Sequence, residues 1–338
     1  MEDKILINND EYEVIDTIEK MTVTDCFVVR ANKTGSANGE AKFYIGSRQN
    51  SSILDFFGGQ GFNVKCVIKK ADLLEYMDDV KDEYNNPEQN YTQKQNFPNL
   101  WSERLSKING LEDFEYFNLI DQIQITGNRF YVSSEKINMH TFRYIGYQIL
   151  REVSLPKITY LAAIKLKDKN DNIIFYLRLF VDYFGEVEKK TIIDEQLRTI
   201  ENSDSTEEEK LQLRKARVGQ GKYRQELLEL CPFCPITMVT DDRLLIASHI
   251  KPWAKSNAQE KVDPYNGFMF TPNIDLLFDR GFITFTNDKH MKISPWLSKM
   301  TCSRLNIVPD KKYDMLPTEG REDYLEYHRN EIFKGYIK

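Results

Sequence analysis

The sequence predicts an α+β protein in two parts: a mixed α/β region over residues 1–200 and a C-terminal region over 201–338 with a motif core at 231–290. Three observations carry this. Runs such as "NVKCVIKK" and "KITYLAAIKLK" read as strands, and stretches of helical spacing such as "ADLLEYMDDVKDEY" lie between them. The acidic, polar stretch "ENSDSTEEEK", residues 201–210, separates the two parts. Beyond it, "RLLIASHI", a polar loop, "FMFT" and "PNIDLLFDRG" follow in the order strand, loop, strand, short helix.

The 338 residues suffice for two ordinary cores. With 41% hydrophobic and 29% charged residues, the chain is expected to be globular rather than disordered. It has no run of eighteen apolar residues, and "MEDKILINNDEYEVID" lacks the basic-then-apolar pattern of a secretory signal. A cytoplasmic protein with no membrane partner is therefore expected. Cys26, Cys66, Cys231, Cys234 and Cys302 make an odd count without framework spacing and read as reduced thiols. The net charge of −6 means that any nucleic-acid surface must be local.

In the first part, "CFVVRAN" and "KFYIGS" read as strands around the polar loop "KTGSANGEA", and "NVKCVIKK" as a half-buried strand. "NNPEQNYTQKQNFPN" reads as a loop, and "FRYIGYQILREV" as a helix. "KITYLAAIKLKDKNDNIIFYLRLFVDYFGE" reads as an antiparallel hairpin turning at "KDKNDN". "FFGGQGFN" is no phosphate loop, since it lacks the Gly-Lys-Ser/Thr ending.

Near residue 200 the chain is expected to change domain. Ser205 and Glu208 fit a capping box opening a helix that stops near Gly219 and Gly221, followed by a second helix, "KYRQELLEL". Between Lys210 and Arg224 the cations Lys210, Arg214, Lys215, Arg217, Lys222 and Arg224 occur without an acid. They read either as a solvated helix face or as phosphate contacts.

The motif region places His249 near a strand end and Asn266 before Gly267 in a turn. Asp275 and Asp279 fall four residues apart on one helix face, with Asn273 as N-cap, Gly281 as stop, and Leu276, Leu277 and Phe278 toward the core. With "ASHIKPW", "DPYNGFMFTPNIDLLFDRGFITF" and the upstream "RVGQGKYRQELLELC", residues 217 to about 290 resemble the HNH endonuclease family, in its bacterial restriction-type branch.

The resemblance implies a ββα-metal nuclease domain that hydrolyses phosphodiester bonds of double-stranded DNA. It implies His249 as general base and Asn266 as the residue that holds the loop and orients that base. Asp275 would be a ligand of Mg²⁺ or Mn²⁺, hard cations that suit a carboxylate. Where many relatives carry a further ligand just before the base, this chain has Ser248. Either Asp279 completes the shell, or phosphate and water do. Lys215, Arg217, Lys222, Arg224 and Lys251 are the expected phosphate contacts. Cys231-x-x-Cys234 lacks a second ligand pair, and Cys302 and His290 stand outside any paired motif, so packing is expected rather than a structural Zn²⁺. Trp253 is expected in the core, and His140, His290 and His328 as structural or surface residues.

Because phosphate contacts position and base contacts specify, the first part is expected to be the target-recognition domain. Tyr91, Phe97 and Trp101 could stack on a base, with core packing the alternative. One HNH site cuts one strand, so a duplex break calls for a homodimer or for successive nicks. Two other functions fit the residues: a nicking, homing or repair nuclease, or a non-catalytic nucleic-acid-binding module with a degraded site.

Overall fold

A computed structural model describes residues 4–21, 42–49, 51–87, 97–123, 128–138, 141–155, 158–181, 197, 200–202, 206–217 and 221–335. The chain divides into two compact units, Met1–Tyr183 and Phe184–Lys338. The division lies upstream of the expected position near residue 200 because Leu197 and Ile200 already pack into the second core.

The first unit is built on one eight-stranded sheet. Its elements in chain order are β1 (Lys4–Ile7), β2 (Asp10–Ile18), β3 (Phe43–Ser47), α1 (Ser51–Phe57), β4 (Asn63–Lys69), α2 (Lys70–Asp79), α3 (Lys81–Asn85), α4 (Phe97–Asn109), β5 (Phe114–Asp121), β6 (Arg129–Ser133), α5 (Ile145–Val153), β7 (Thr159–Lys167) and β8 (Ile173–Val181). The sheet order is β1-β2-β7-β8-β4-β5-β6-β3, antiparallel except for the parallel pair β4–β8.

The expected hairpin is β7–β8, in register from Thr159↔Val181 to Lys167↔Ile173. Asp168 holds its turn by accepting the backbone N–H groups of Asn170 and Asn172. β4 is not half-buried throughout. Cys66 and Ile68 face the main core while Val67 is buried on the other side, because neighbouring strands are covered on both faces in mid-sheet. The helical stretch after β4 breaks at Val80 into α2 and α3. "CFVVRAN", "KTGSANGEA", Tyr91 and His140 lie outside the described residues, as does the side chain of Phe97. Trp101 is structural, its indole N–H donating to the Met77 carbonyl at 3.1 Å with Lys81 over the ring.

The second unit opens with α6 (Glu207–Arg217) and α7 (Lys222–Leu230). The capping box lies one residue later than expected: the Thr206 hydroxyl accepts the Glu209 N–H, and the Glu209 carboxylate accepts the Thr206 N–H at 2.8 Å. Ser205 itself lies outside the described residues.

Then come β9 (Ile246–His249), β10 (Gly267–Phe270) and α8 (Pro272–Asp279), the expected strand, loop, strand and helix. They are followed by the hairpin β11 (Ile283–Phe285) and β12 (Met291–Ile293), α9 (Lys299–Arg304) and α10 (Glu322–Tyr327). Only the end of "RLLIASHI" is strand. Asp242–Leu244 form a 3-10 turn because the Asp241 carboxylate accepts the Arg243 N–H. Phe268, Phe270, Phe278 and Phe285 form the aromatic centre of this core.

Candidate active site

β9 and β10 pair antiparallel with His249 opposite Gly267 and Ser248 opposite Phe268. Directly opposed residues share a face, and successive residues alternate. His249 and Ser248 therefore project to opposite sides of the hairpin. Phe268 packs on Phe278 at 6.1 Å between ring centroids, so Ser248 faces α8. His249 faces α7.

On the α7 side, Tyr223 and Leu227 are buried at i and i+4. The Tyr223 ring stacks on His249 at 4.5 Å and 13°. A Cβ on Gly267 would come within 2.9 Å of Leu227 and overlap the Tyr223 hydroxyl. Gly267 was expected to serve a turn with Asn266. Its backbone is extended (φ −164), and what requires glycine is the close approach of α7. Trp253, buried as expected, meets the imidazole edge-on at 5.5 Å.

The His249 Nε2 lies 3.1 Å from the carbonyl oxygen of Lys261. A carbonyl oxygen only accepts, so Nε2 carries a hydrogen, and in the neutral imidazole this leaves the basic lone pair on Nδ1. That is the tautomer a general base needs if Nδ1 is to take the proton.

The loop that supplies this carbonyl is closed by Asn266, which is 0% exposed. Its Oδ1 accepts the Lys251 N–H at 2.8 Å. Its Nδ2 donates toward the Glu260 carbonyl at 3.0 Å and toward the Lys251 carbonyl and the Ser256 hydroxyl at 3.3 Å. Asn266 thus fastens both ends of the loop and acts on the base through the loop backbone. Arg321 holds the start of β10 from behind, donating from Nε to the Gly267 carbonyl at 3.0 Å and lying over Tyr265 and Phe268.

On the α8 side, Asp275 is 4% exposed in the first turn of the helix that packs across β9 and β10, while Asp279 at its end is exposed. The shared face expected for the two aspartates is not kept in burial. Three further expectations shift. The N-cap is Thr271 rather than Asn273, because Pro272 occupies the first helical position. Leu276 is 48% exposed, and Ile274 joins Leu277 and Phe278 in the core instead. Gly281 does end the helix, at φ +69, with Gly281 N–H donating to the Phe278 carbonyl and Phe282 N–H to that of Leu277.

Two antiparallel strands joined by a loop, followed by a helix that packs across both and carries a buried aspartate, make the ββα arrangement. A family model for HNH endonucleases matches residues 234–286. This segment belongs to the HNH endonuclease family. No curated protein matches the chain.

HNH nucleases generally use a divalent metal. The residues of this HNH segment fit one in donor chemistry: the Ser248 hydroxyl is 3% exposed with no hydrogen-bond partner among the described residues, on the face covered by the helix that carries Asp275. Both are hard oxygen donors. Among the described residues, no three His, Cys, Asp or Glu side chains converge on a common point.

Of the cations expected on phosphate, the three whose side chains are described each have a protein partner. Lys251 pairs with both Glu260 oxygens at 2.8 Å, an interaction that lowers the Glu260 pKa. Lys222 pairs with Glu226 at 3.2 Å. Arg224 donates to the Leu245 and Asp242 carbonyls and ties α7 to the start of β9. The side chains of Lys215 and Arg217 lie outside the described residues. Cys231, Cys234 and Cys302 are buried in the second core, and burial raises the Cys231 thiol pKa. Tyr223 and Lys261 were not singled out by sequence. Tyr223 stood inside the matching upstream stretch, whereas Lys261 had no signal in a polar loop.

His290 is held by Asp288 at 3.0 Å. His328 is a core residue, stacked on Phe278 at 3.8 Å, with Nδ1 at Thr284 and Nε2 at the Phe278 carbonyl. Burial pushes its pKa down from 6.5 to about 3. The unfolded chain then binds a proton that the folded chain refuses. The stability from keeping His328 neutral is complete above pH 6.5 and is lost as pH falls toward 3, by about 1.4 kcal/mol per pH unit. Thermal melts from pH 7 to 5 are expected to show about 2 kcal/mol lost at pH 5. A His328→Gln variant should show a shallower fall, and equal slopes would rule His328 out as the source.

Proposed function

We propose that the protein is a metal-dependent DNA endonuclease of the restriction type, with its first unit as the target-recognition domain. One observation carries the chemistry: within the HNH segment, the Lys261 carbonyl fixes His249 with its basic lone pair on Nδ1. In this reading, Nδ1 takes a proton from water, the hydroxide oxygen bonds to phosphorus, and the bond from phosphorus to the 3′-oxygen breaks. The leaving oxygen takes its proton from solvent. The imidazolium formed keeps Nε2–H on the Lys261 carbonyl, and that bond strengthens as charge develops. A bound Mg²⁺ or Mn²⁺ would supply charge stabilisation to the phosphate, held by Asp275 and Ser248.

The recognition role of the first unit rests on the need for a reader separate from a backbone-contacting nuclease core. The helices of this unit are too short and polar to cross a membrane, and no described helix elsewhere is long and apolar enough.

Supercoiled plasmid, unmodified and cytosine-modified, tested with Mg²⁺, Mn²⁺ or chelator, decides the reading. Discrete cuts that chelator abolishes are expected. Asp275→Ala should lower the rate about 10²-fold, and Asp279→Ala by less than about tenfold, since Asp275 is the carboxylate buried against the hairpin. Equal losses would place both in the metal shell. The neutral hydroxyl of Ser248 favours one other reading, a nucleic-acid-binding module without catalysis. Salt-sensitive binding with intact plasmid in every ion would establish it.

A further inference from the structure

We infer that Lys261 supplies the positive charge that binds the substrate phosphate beside His249. Each described cation that the sequence nominates for this task already has a protein partner: Glu260 for Lys251, Glu226 for Lys222, and two carbonyls for Arg224. Lys261 has no carboxylate within ion-pair distance among the described residues. Its ammonium lies 5.2 Å from the centre of the Trp253 ring, and that ring stands edge-on to His249. Its backbone carbonyl holds the catalytic imidazole. One residue thus ties a half-buried charge and the base to the same point of the loop.

A cation partly removed from water without a counter-charge is costly to maintain. Burial accordingly lowers the pKa of this lysine from the ordinary value, with no acid opposing the shift. A phosphodiester oxygen would provide the missing counter-charge through a charge-assisted hydrogen bond. The aromatic face beneath the ammonium would keep it in place meanwhile.

This inference rests on the nuclease reading for its catalytic consequence, but the phosphate contact can be measured without cleavage. Binding of a duplex oligonucleotide is followed against salt in chelator for wild type, Lys261→Met and Lys261→Arg. Cleavage of plasmid in Mg²⁺ or Mn²⁺ is followed in parallel. Lys261→Met retains the apolar stem over Trp253 and the backbone carbonyl. It is expected to reduce the slope of log affinity against log salt by about 1. The same variant is expected to slow cleavage about 10²-fold. Lys261→Arg should restore the slope and most of the rate.

If Lys261→Met melts below wild type, Lys261→Gln, with a polar end, gives the same comparison. A wild type that cuts, with slope and rate unchanged in the methionine or glutamine variant, overturns the role of Lys261 and leaves the nuclease reading standing. A wild type that binds but never cuts overturns the nuclease reading, and a reduced slope in the variant would still support the contact. No binding by wild type overturns both.

Discussion

Replacing His249 by alanine should lower DNA cleavage by about 10³-fold while the protein stays folded, because positioned general-base catalysis is worth about 10²–10⁴. The loss has a structural reason beyond removal of a base. The imidazole is held by Tyr223 on its face, Trp253 at its edge and the Lys261 carbonyl at Nε2, so the proton acceptor is oriented before substrate arrives. Alanine leaves the carbonyl and both rings in place, and a melting temperature near that of wild type would separate chemistry from folding. Nicking at the wild-type rate in His249→Ala would remove the mechanism.

Asn266→Ala is expected to cost both stability and activity. The side chain is fully buried and joins the Lys251 N–H and carbonyl, the Ser256 hydroxyl and the Glu260 carbonyl. Alanine leaves the Lys251 N–H and the Glu260 carbonyl without this partner, at about 1–3 kcal/mol for each that water cannot reach, while the Ser256 hydroxyl still donates to the Lys251 carbonyl. We expect a total of about 2–4 kcal/mol, since the loop would relax to admit water to some of them. Activity should fall at temperatures where the variant is still folded, because the carbonyl that fixes His249 belongs to the residue after Glu260. Asn266→Asp retains one acceptor but turns a carboxylate oxygen toward carbonyls, so it should not rescue. Denaturant unfolding with wild-type midpoint would mean that the loop is held by other contacts.

The order His249, Asn266, Asp275 was legible because each residue belongs to a local signature: an apolar run ending in histidine, a turn, and a short helix closed by Gly281. What sequence could not show depended on tertiary contact. Tyr223 matters because α7 lies against Gly267, a closeness that no spacing encodes. Lys251 and Arg224 looked like phosphate contacts because their partners, Glu260 and two carbonyls, are assigned only by the fold. α8 turns Ile274, Leu277 and Phe278 inward and leaves Leu276 exposed, because packing on the hairpin and not apolar content alone selects the buried face.

In the first unit, the polar, proline-containing "NNPEQNYTQKQNFPN" predicts a loop through Asn99, yet α4 begins at Phe97. Pro98 sits in the first turn, where proline is tolerated because that N–H has no helical partner. β1 and β2 went unremarked in an acidic segment that bears its charges on the exposed side.

The sheet of the first unit also bears on how the chain is made. β2 pairs with β7, joining Glu13 to Lys167, and β4 pairs in parallel with β8, joining Cys66 to Phe175. Within the unit, β2 and β4 therefore wait for its last strands before each has a partner on that side. The hairpin that carries His249 closes over a single loop. By the relation between contact order and folding rate, the slow step of biosynthesis belongs to the N-terminal sheet. Its unpaired strand edges are the part of the nascent protein most exposed to misassociation.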